Sequence, residues 1–269
     1  MLIKTVLLAL FCCAPAAAGD QLSHPYWAMP VSTETVAGTV PGLVAGETLE
    51  YDIYWGAVYV GKSYIRIDGA VMISSRPAWH IISEAKSGSF LANFYKVADR
   101  NDAWMDTENL SSYGYYKKIS EGSHFFNEWV VFDLPGKRFY GGKLNKKGQR
   151  NQVEGPLEKP ANDVLSALYR MRSMNLQPGA DVELDVNTKR DWRIRIKAGK
   201  REKISTPYGK KQCIKFEPMA GEEGIFVAKK GRRMLVWLTD DELKVPMMLK
   251  AEIFIGSVTA KLVRRVIRP

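Results

Sequence analysis

Three cysteines and three histidines are all that a chain of 269 residues carries, and this scarcity excludes whole classes of chemistry. Cys12 and Cys13 lie within the opening MLIKTVLLALFCCAPAAA, where Lys4 precedes an apolar run from Val6 to Ala14 and three alanines, Ala16 to Ala18, follow. That order reads as a secretory leader cleaved after about Ala18. The run is shorter than the roughly 20 apolar residues a membrane-spanning helix needs, and no second run is long enough. Phe11 and Cys12 stand where a lipoprotein leader would place a small residue, which argues against lipid attachment. Cleavage leaves Cys213 as the one thiol, so no disulfide framework is expected in the mature chain. In the segment QCIKF that cysteine lies opposite in phase to Ile214 and Phe216, as a buried, inert thiol would.

The chemical motifs are as sparse. His24, His80 and His124 have no second histidine or cysteine at metal-ligand spacing, so no zinc site and no cofactor is expected. Ser83 and Lys86 have the spacing of a serine–lysine acyl-enzyme pair, but in a strand they point to opposite faces. No G-x-S-x-G elbow, phosphate-cradling loop or dinucleotide fingerprint occurs. Asp99, Asn101, Asp102 and Asp106 form one acidic cluster, broken for calcium by Ala103 and Trp104 and expected to be a solvated strand and turn. No catalytic residue is assigned.

Charge and apolar pattern are what the chain does have. The net charge is +10, and losing Lys4 with the leader lowers it to +9. For an exported protein such an excess meets anionic head groups and envelope polymers rather than nucleic acid. Residues 19–46, rich in proline, glycine and serine, read as an extended linker before one β-rich domain over 47–269. Residues 162–174 give the single helical pattern, with Asn162 or Asp163 as its cap and Arg170 and Arg172 near its C-terminus. In Asp181–Val186 and Trp192–Lys197 the even positions are apolar while the odd ones are acidic, then basic. Both faces agree on one hairpin register, pairing Val186 with Trp192 and Asp185 with Arg193. Thr206–Gly209 reads as the next turn.

Around Trp55-Gly-Ala-Val-Tyr-Val-Gly61 the apolar phase switches from odd (Leu49, Tyr51, Ile53, Trp55) to even (Val58, Val60) and back at Ile65. A switch at glycine is what a bulge or bend produces. Tyr59-Val-Gly and Phe254-Ile-Gly resemble each other, so the first and last hairpins are expected to bend at comparable corners. The expected fold is mainly β: one strongly bent antiparallel sheet or open barrel, with one amphipathic helix packed against an opening or edge.

Four stretches carry a family resemblance: GETLEYDIYWGAVYVGKSYIRI (46–67), DAWMD (102–106), NDVLSALYRMR (162–172) and RRMLVWLTDDELKVPMMLKAEIFIGSVTAKL (232–262). Together they resemble the bacterial domain-of-unknown-function family 3108, in order from about Gly46 to Val263. The resemblance implies an exported, β-rich envelope protein and supplies no catalytic residues. A more distant likeness to the curved-sheet lipoprotein carriers of the periplasm is one of fold alone.

Several aromatic segments are apolar in both phases, which a sheet with one wet face does not need. The reading that follows is a non-enzymatic periplasmic or envelope protein that binds a lipid or other amphiphile, with Trp55, Val58, Tyr59, Val60, Trp237 and Phe254 as candidate lining. Two alternatives stand beside it: a scaffold with a protein partner, and a hydrolase of an envelope polymer using Asp102 and Asp106. No nucleic acid and no transmembrane segment enters any of the three.

Overall fold

A computed structural model describes residues 40–73, 76–219, 233–253 and 255–268. The expected leader, most of the linker and Phe254 lie outside the described residues. The first eight strands are β1 (Glu47–Trp55), β2 (Val58–Ile73), β3 (Arg76–Ser87), β4 (Ala98–Asp106), β5 (Ser112–Glu121), β6 (His124–Asp133), β7 (Arg138–Asn145) and β8 (Arg150–Pro156). Six more follow: β9 (Asp181–Asn187), β10 (Asp191–Thr206), β11 (Gly209–Met219), β12 (Met234–Thr239), β13 (Pro246–Glu252) and β14 (Ser257–Ile267). A short helix α1 (Ser89–Ala92) follows β3, and α2 (Val164–Ser173) separates β8 from β9.

Every neighbour in the sheet is antiparallel, and the order runs β8 to β1, then β14 down to β9. The first and last strands therefore meet in the middle of the sheet, where β1 pairs β14 from Glu47↔Ile267 to Trp55↔Val258. The free edges are β8 and β9, strands consecutive in sequence. Eleven strand spacings separate β6 from β9 in that order, about 50 Å if the sheet were flat. Yet Lys189, in the β9–β10 turn, donates to Glu128 of β6 across 2.8 Å. Only a sheet curled back on itself allows that contact.

The gap between the edges is bridged by the chain that joins them. Asn162 pairs with the β9 edge in parallel, its N–H donating to Asp185 O (2.9 Å) and its carbonyl accepting from Asn187 N–H (2.9 Å). Asp163 then caps α2, accepting from Leu165 and Ser166 N–H groups and from the hydroxyls of Ser112 and Ser166. The helix lies inside the curl, where Leu165, Tyr169 and Met171 join a core built from β1–β4 and β9–β14. The odd residues Leu49, Tyr51 and Ile53 of β1 are buried in that core, as are Ile65 and Ile67 of β2.

The phase switch between them has a local cause. Ile53 pairs Gly61 but Tyr54 pairs Tyr59, so Val60 is the extra residue of a β-bulge. The β9–β10 hairpin has the expected register throughout, with Val186 opposite Trp192 and Asp185 opposite Arg193. β13 ends at Glu252, and Ile255 sits in an exposed turn because Ile253 N–H closes onto Gly256 O.

Candidate binding site

Alternation along the strands divides the concave face into two chemically different regions. On the β9–β13 side, α2 leans over an apolar crevice. Val164, Leu168 and Met171 of the helix face Leu184, Val186, Ile194, Ile196, Val236 and Leu249 of the sheet. Its free volume is about 70 Å³. That holds a few waters but falls well short of the roughly 300–1,000 Å³ of a small-molecule site. The helix itself is what fills this half of the curl.

On the β3–β8 side one rung of the sheet is polar. The register sets Ile65 opposite Ser83, Ser83 opposite Asn101, and Asn101 opposite Lys117. It continues through Glu128 and Lys143 to Asn151. Ile65 also lines the crevice, so rung and crevice are continuous. The flanking rung, Ile81–Ala103–Tyr115–Val130–Gly141, is apolar apart from the Tyr115 hydroxyl. Ser83 is 0% and Asn101 8% exposed, and neither Ser83 Oγ nor Asn101 Oδ1 has a hydrogen-bond partner.

Glu128, 2% exposed, accepts from Lys189 (2.8 Å) and Tyr115 OH (3.2 Å), and Lys143 Nζ lies 3.9 Å away. Burial pushes its carboxyl up, but Lys117, Lys189 and Lys143 together hold it below the usual carboxylate range. Burial lowers the Lys143 ammonium, and its neighbours Lys189 and Lys117 lower it further against the pull of Glu128. Lys117 lies over the Tyr115 ring, 4.4 Å from the centroid, and Lys143 over Phe126 at 3.8 Å. Charge by charge, this cluster is invisible in sequence, because its members come from β5, β6, β7 and a distant turn.

The residues expected to line a site separate into two places. Trp55, Val58 and Tyr59 are exposed at the β1–β2 turn, and Val60 is buried beneath them at the bulge. The β13–β14 turn lies beside it, with Trp55 Nε1 donating to Ile255 O (2.9 Å) and Gly56 N–H to Ser257 O (2.9 Å). The two corners that resemble each other in sequence are thus neighbours in space. Phe90 and Phe94 of α1 and its C-terminal turn are also exposed (65% and 80%), and Gly88 at its start abuts the Tyr59 ring. These residues form an apolar rim. Trp237 lies elsewhere: it is buried on the face opposite Val236, with Nε1 donating to Glu202 (2.7 Å).

The acidic cluster differs from the solvated strand its sequence implies. Asp99, Asp102 and Asp106 are all buried, because β4 is covered on both faces. Burial drives Asp99 up to about 7, against the Ser120 N–H and Glu121. Asp102 faces the other side, held by Arg100 (2.6 Å) and His80 (2.9 Å), with His80 stacked on Trp104. Asp106 accepts from Tyr113 and from the N–H groups of Glu108 and Asn109. Burial raises both carboxyls, but these partners outweigh it and keep them below the ordinary range. Cys213 is fully buried and free, and burial raises its thiol to about 11. Among the described residues no three His, Cys, Asp or Glu side chains converge on a metal position.

Fold and site together define a curled antiparallel sheet whose gap is spanned by its own helix. Residues 50–263 match the family described as "Protein of unknown function (DUF3108)", and the chain belongs to that family. Among solved structures it is similar to a β-barrel-like protein of the family of unknown function DUF1849 from Brucella abortus. The TM-score is 0.52 at 8% identity, over 84% of this chain and 99% of that one. Weaker likenesses, each of TM-score 0.31 over 84% of this chain and 97% of the other, are to a candidate lipoprotein from Parabacteroides distasonis (10% identity) and a candidate exported protein of YmcC-like fold from Bacteroides fragilis (13%). No curated protein matches the chain.

Proposed function

We propose that this is a non-enzymatic protein of the bacterial envelope, exported on its leader, that binds a lipid or other amphiphile on its concave face. The carrying observation is the division of that face into an apolar crevice beneath α2 and a polar rung that begins at Ile65, the residue common to both. An amphiphile has the same division. The rim of Trp55, Val58, Tyr59, Phe90, Phe94 and Ile255 supports the reading, since exposed aromatics suit the interfacial zone of a bilayer. Lys86 and Lys96, exposed beside α1, add attraction to an anionic surface. With α2 seated the crevice is too small for an acyl chain, so uptake requires the helix to shift outward.

One observation favours the alternative of a self-packed scaffold with a protein partner, namely that same small free volume. Native mass spectrometry of the mature protein, isolated from a periplasm without detergent, separates the two. A stoichiometric bound lipid, diminished in a crevice-filling Ala167→Trp variant, is the expected result. A mass that stays ligand-free after incubation with envelope lipids removes the amphiphile reading.

A further inference from the structure

The structure assigns an anion-binding site to Lys117, Lys143 and Lys189, and we infer that its ligand class is a phosphate-bearing or similarly anionic head group. This deepens the amphiphile reading and, for the head group's attached chain, rests on it.

Three ammonium groups share one carboxylate here, with Lys189 and Lys143 at 2.8 Å and 3.9 Å from Glu128 and Lys117 over the neighbouring Tyr115 ring. A structural latch needs less. One lysine on Glu128 is enough to hold the β9–β10 turn against β6, and Lys189 makes that bond. Two cations, Lys117 and Lys143, remain without a carboxylate of their own, on either side of Glu128 in the same rung. The three lysines are 30–40% exposed or half-buried, so solvent reaches them without fully screening them.

Lys189 has φ +77°, a conformation that glycine or asparagine adopts at lower cost. The turn therefore keeps a strained lysine where a less strained residue would close the hairpin equally well, which points to a use for its ammonium. Further along the same rung, Asn101 Oδ1 and Ser83 Oγ are buried without partners, each at a regularly paired strand position. A hydroxyl can donate to an anionic oxygen, and the ester or hydroxyl part of a head group can satisfy the amide. Two unsatisfied groups, two uncompensated cations and one strained lysine thus lie along or beside one rung. An oxyanion with further polar oxygens answers all five.

The test uses calorimetric titration of the mature protein with decyl phosphate, decyl trimethylammonium and the neutral decyl glucoside, beside inorganic phosphate followed through the Lys143 side-chain NMR signal. Decyl phosphate is expected to bind at least tenfold more tightly than the cationic analogue. Lys117→Met and Lys143→Met should each weaken it about tenfold, the scale of one charge-assisted bond, while leaving the glucoside unchanged. Glu128→Gln provides a reading that lost folding cannot imitate: removing the competing carboxylate should tighten decyl phosphate several-fold. Equal affinity for the anionic and neutral compounds, or lysine variants that leave decyl phosphate untouched, would overturn the site while leaving the amphiphile reading intact. If no decyl compound binds but inorganic phosphate shifts Lys143, the site stands and the amphiphile reading falls.

Discussion

At the scale of single residues, the chain places charge where the hydrophobic effect alone would not. Arg172 is fully buried at the end of α2, and both its terminal nitrogens reach Glu47 (2.6 and 3.2 Å), which also accepts from Arg265 (2.8 Å). Its guanidinium also donates to Leu243 O and lies over the Tyr169 ring. This cluster ties the helix to β1 and β14 at once. Breaking a buried pair from one side leaves a desolvated charge, at a cost of about 3–5 kcal/mol. Glu47→Gln should therefore lower the unfolding free energy by that amount, read as a fall in the urea midpoint with an unchanged m-value. A loss below 1 kcal/mol would mean that Arg265 or solvent already compensates. Asp99 makes the opposite kind of statement. Its folded pKa of about 7 lies above the unfolded 3.8, so the folded state binds more protons between about pH 4 and 7. Its contribution therefore turns against folding as pH rises through that window. Asp102, Asp106 and Glu128 are shifted down, and their stabilisation is lost only as pH falls below about 4. Melting at pH 5 and pH 8 should show a decline that Asp99→Asn removes.

At the scale of elements, α2 and the hairpin tips carry what is specific to this molecule. Asp163 caps α2 with one oxygen and binds Ser112 with the other, so the cap also fixes the helix to β5. Losing an N-cap costs about 0.5–2 kcal/mol. Asp163→Ala should reach the upper part of that range, because the Ser166 hydroxyl loses its acceptor and the tie to Ser112 goes with it, whereas Asp163→Asn should cost less. Thermal melts of the two variants decide this. At the rim, Phe90 and Phe94 meet edge to face with ring centroids 5.9 Å apart and pack against little else. Replacing both with serine should change stability by no more than about 0.5 kcal/mol while lowering co-sedimentation with anionic vesicles. Unchanged co-sedimentation would leave the rim without that role.

At the scale of the whole molecule, the β1–β14 seam decides cooperativity. It joins residues as far apart as Glu47 and Ile267, and it lies in the interior of the sheet rather than at an edge. A chain truncated before Ser257 loses a strand with partners on both sides and leaves two new apolar edges. It should show no cooperative unfolding transition, whereas loss of an edge strand alone would leave one. The non-local pairing also predicts refolding in the millisecond-to-second range typical of such β topologies, measurable by stopped-flow fluorescence. A microsecond phase that recovered all the native signal would contradict this.

Period and punctuation alone determined the β class, the single long helix with its cap narrowed to Asn162 or Asp163, the β9–β10 register and the corner near Gly56–Gly61. Each follows from alternation, capping or turn chemistry within a few residues, where sequence distance and spatial distance agree. The buried state of Asp99, Asp102 and Asp106 was not legible, because a strand looks the same whether one face or both are covered. Nor was the fate of Trp237, expected in the lining, because nothing near it in sequence signals the Glu202 side chain that receives it. The cationic rung was beyond reach altogether. Lys117, Lys143 and Lys189 read as ordinary surface charges, and only the curl of the sheet brings the last of them to Glu128. Local physics wrote the strands; the curl, a sum of small twists and bulges over fourteen of them, decided which side chains face one another.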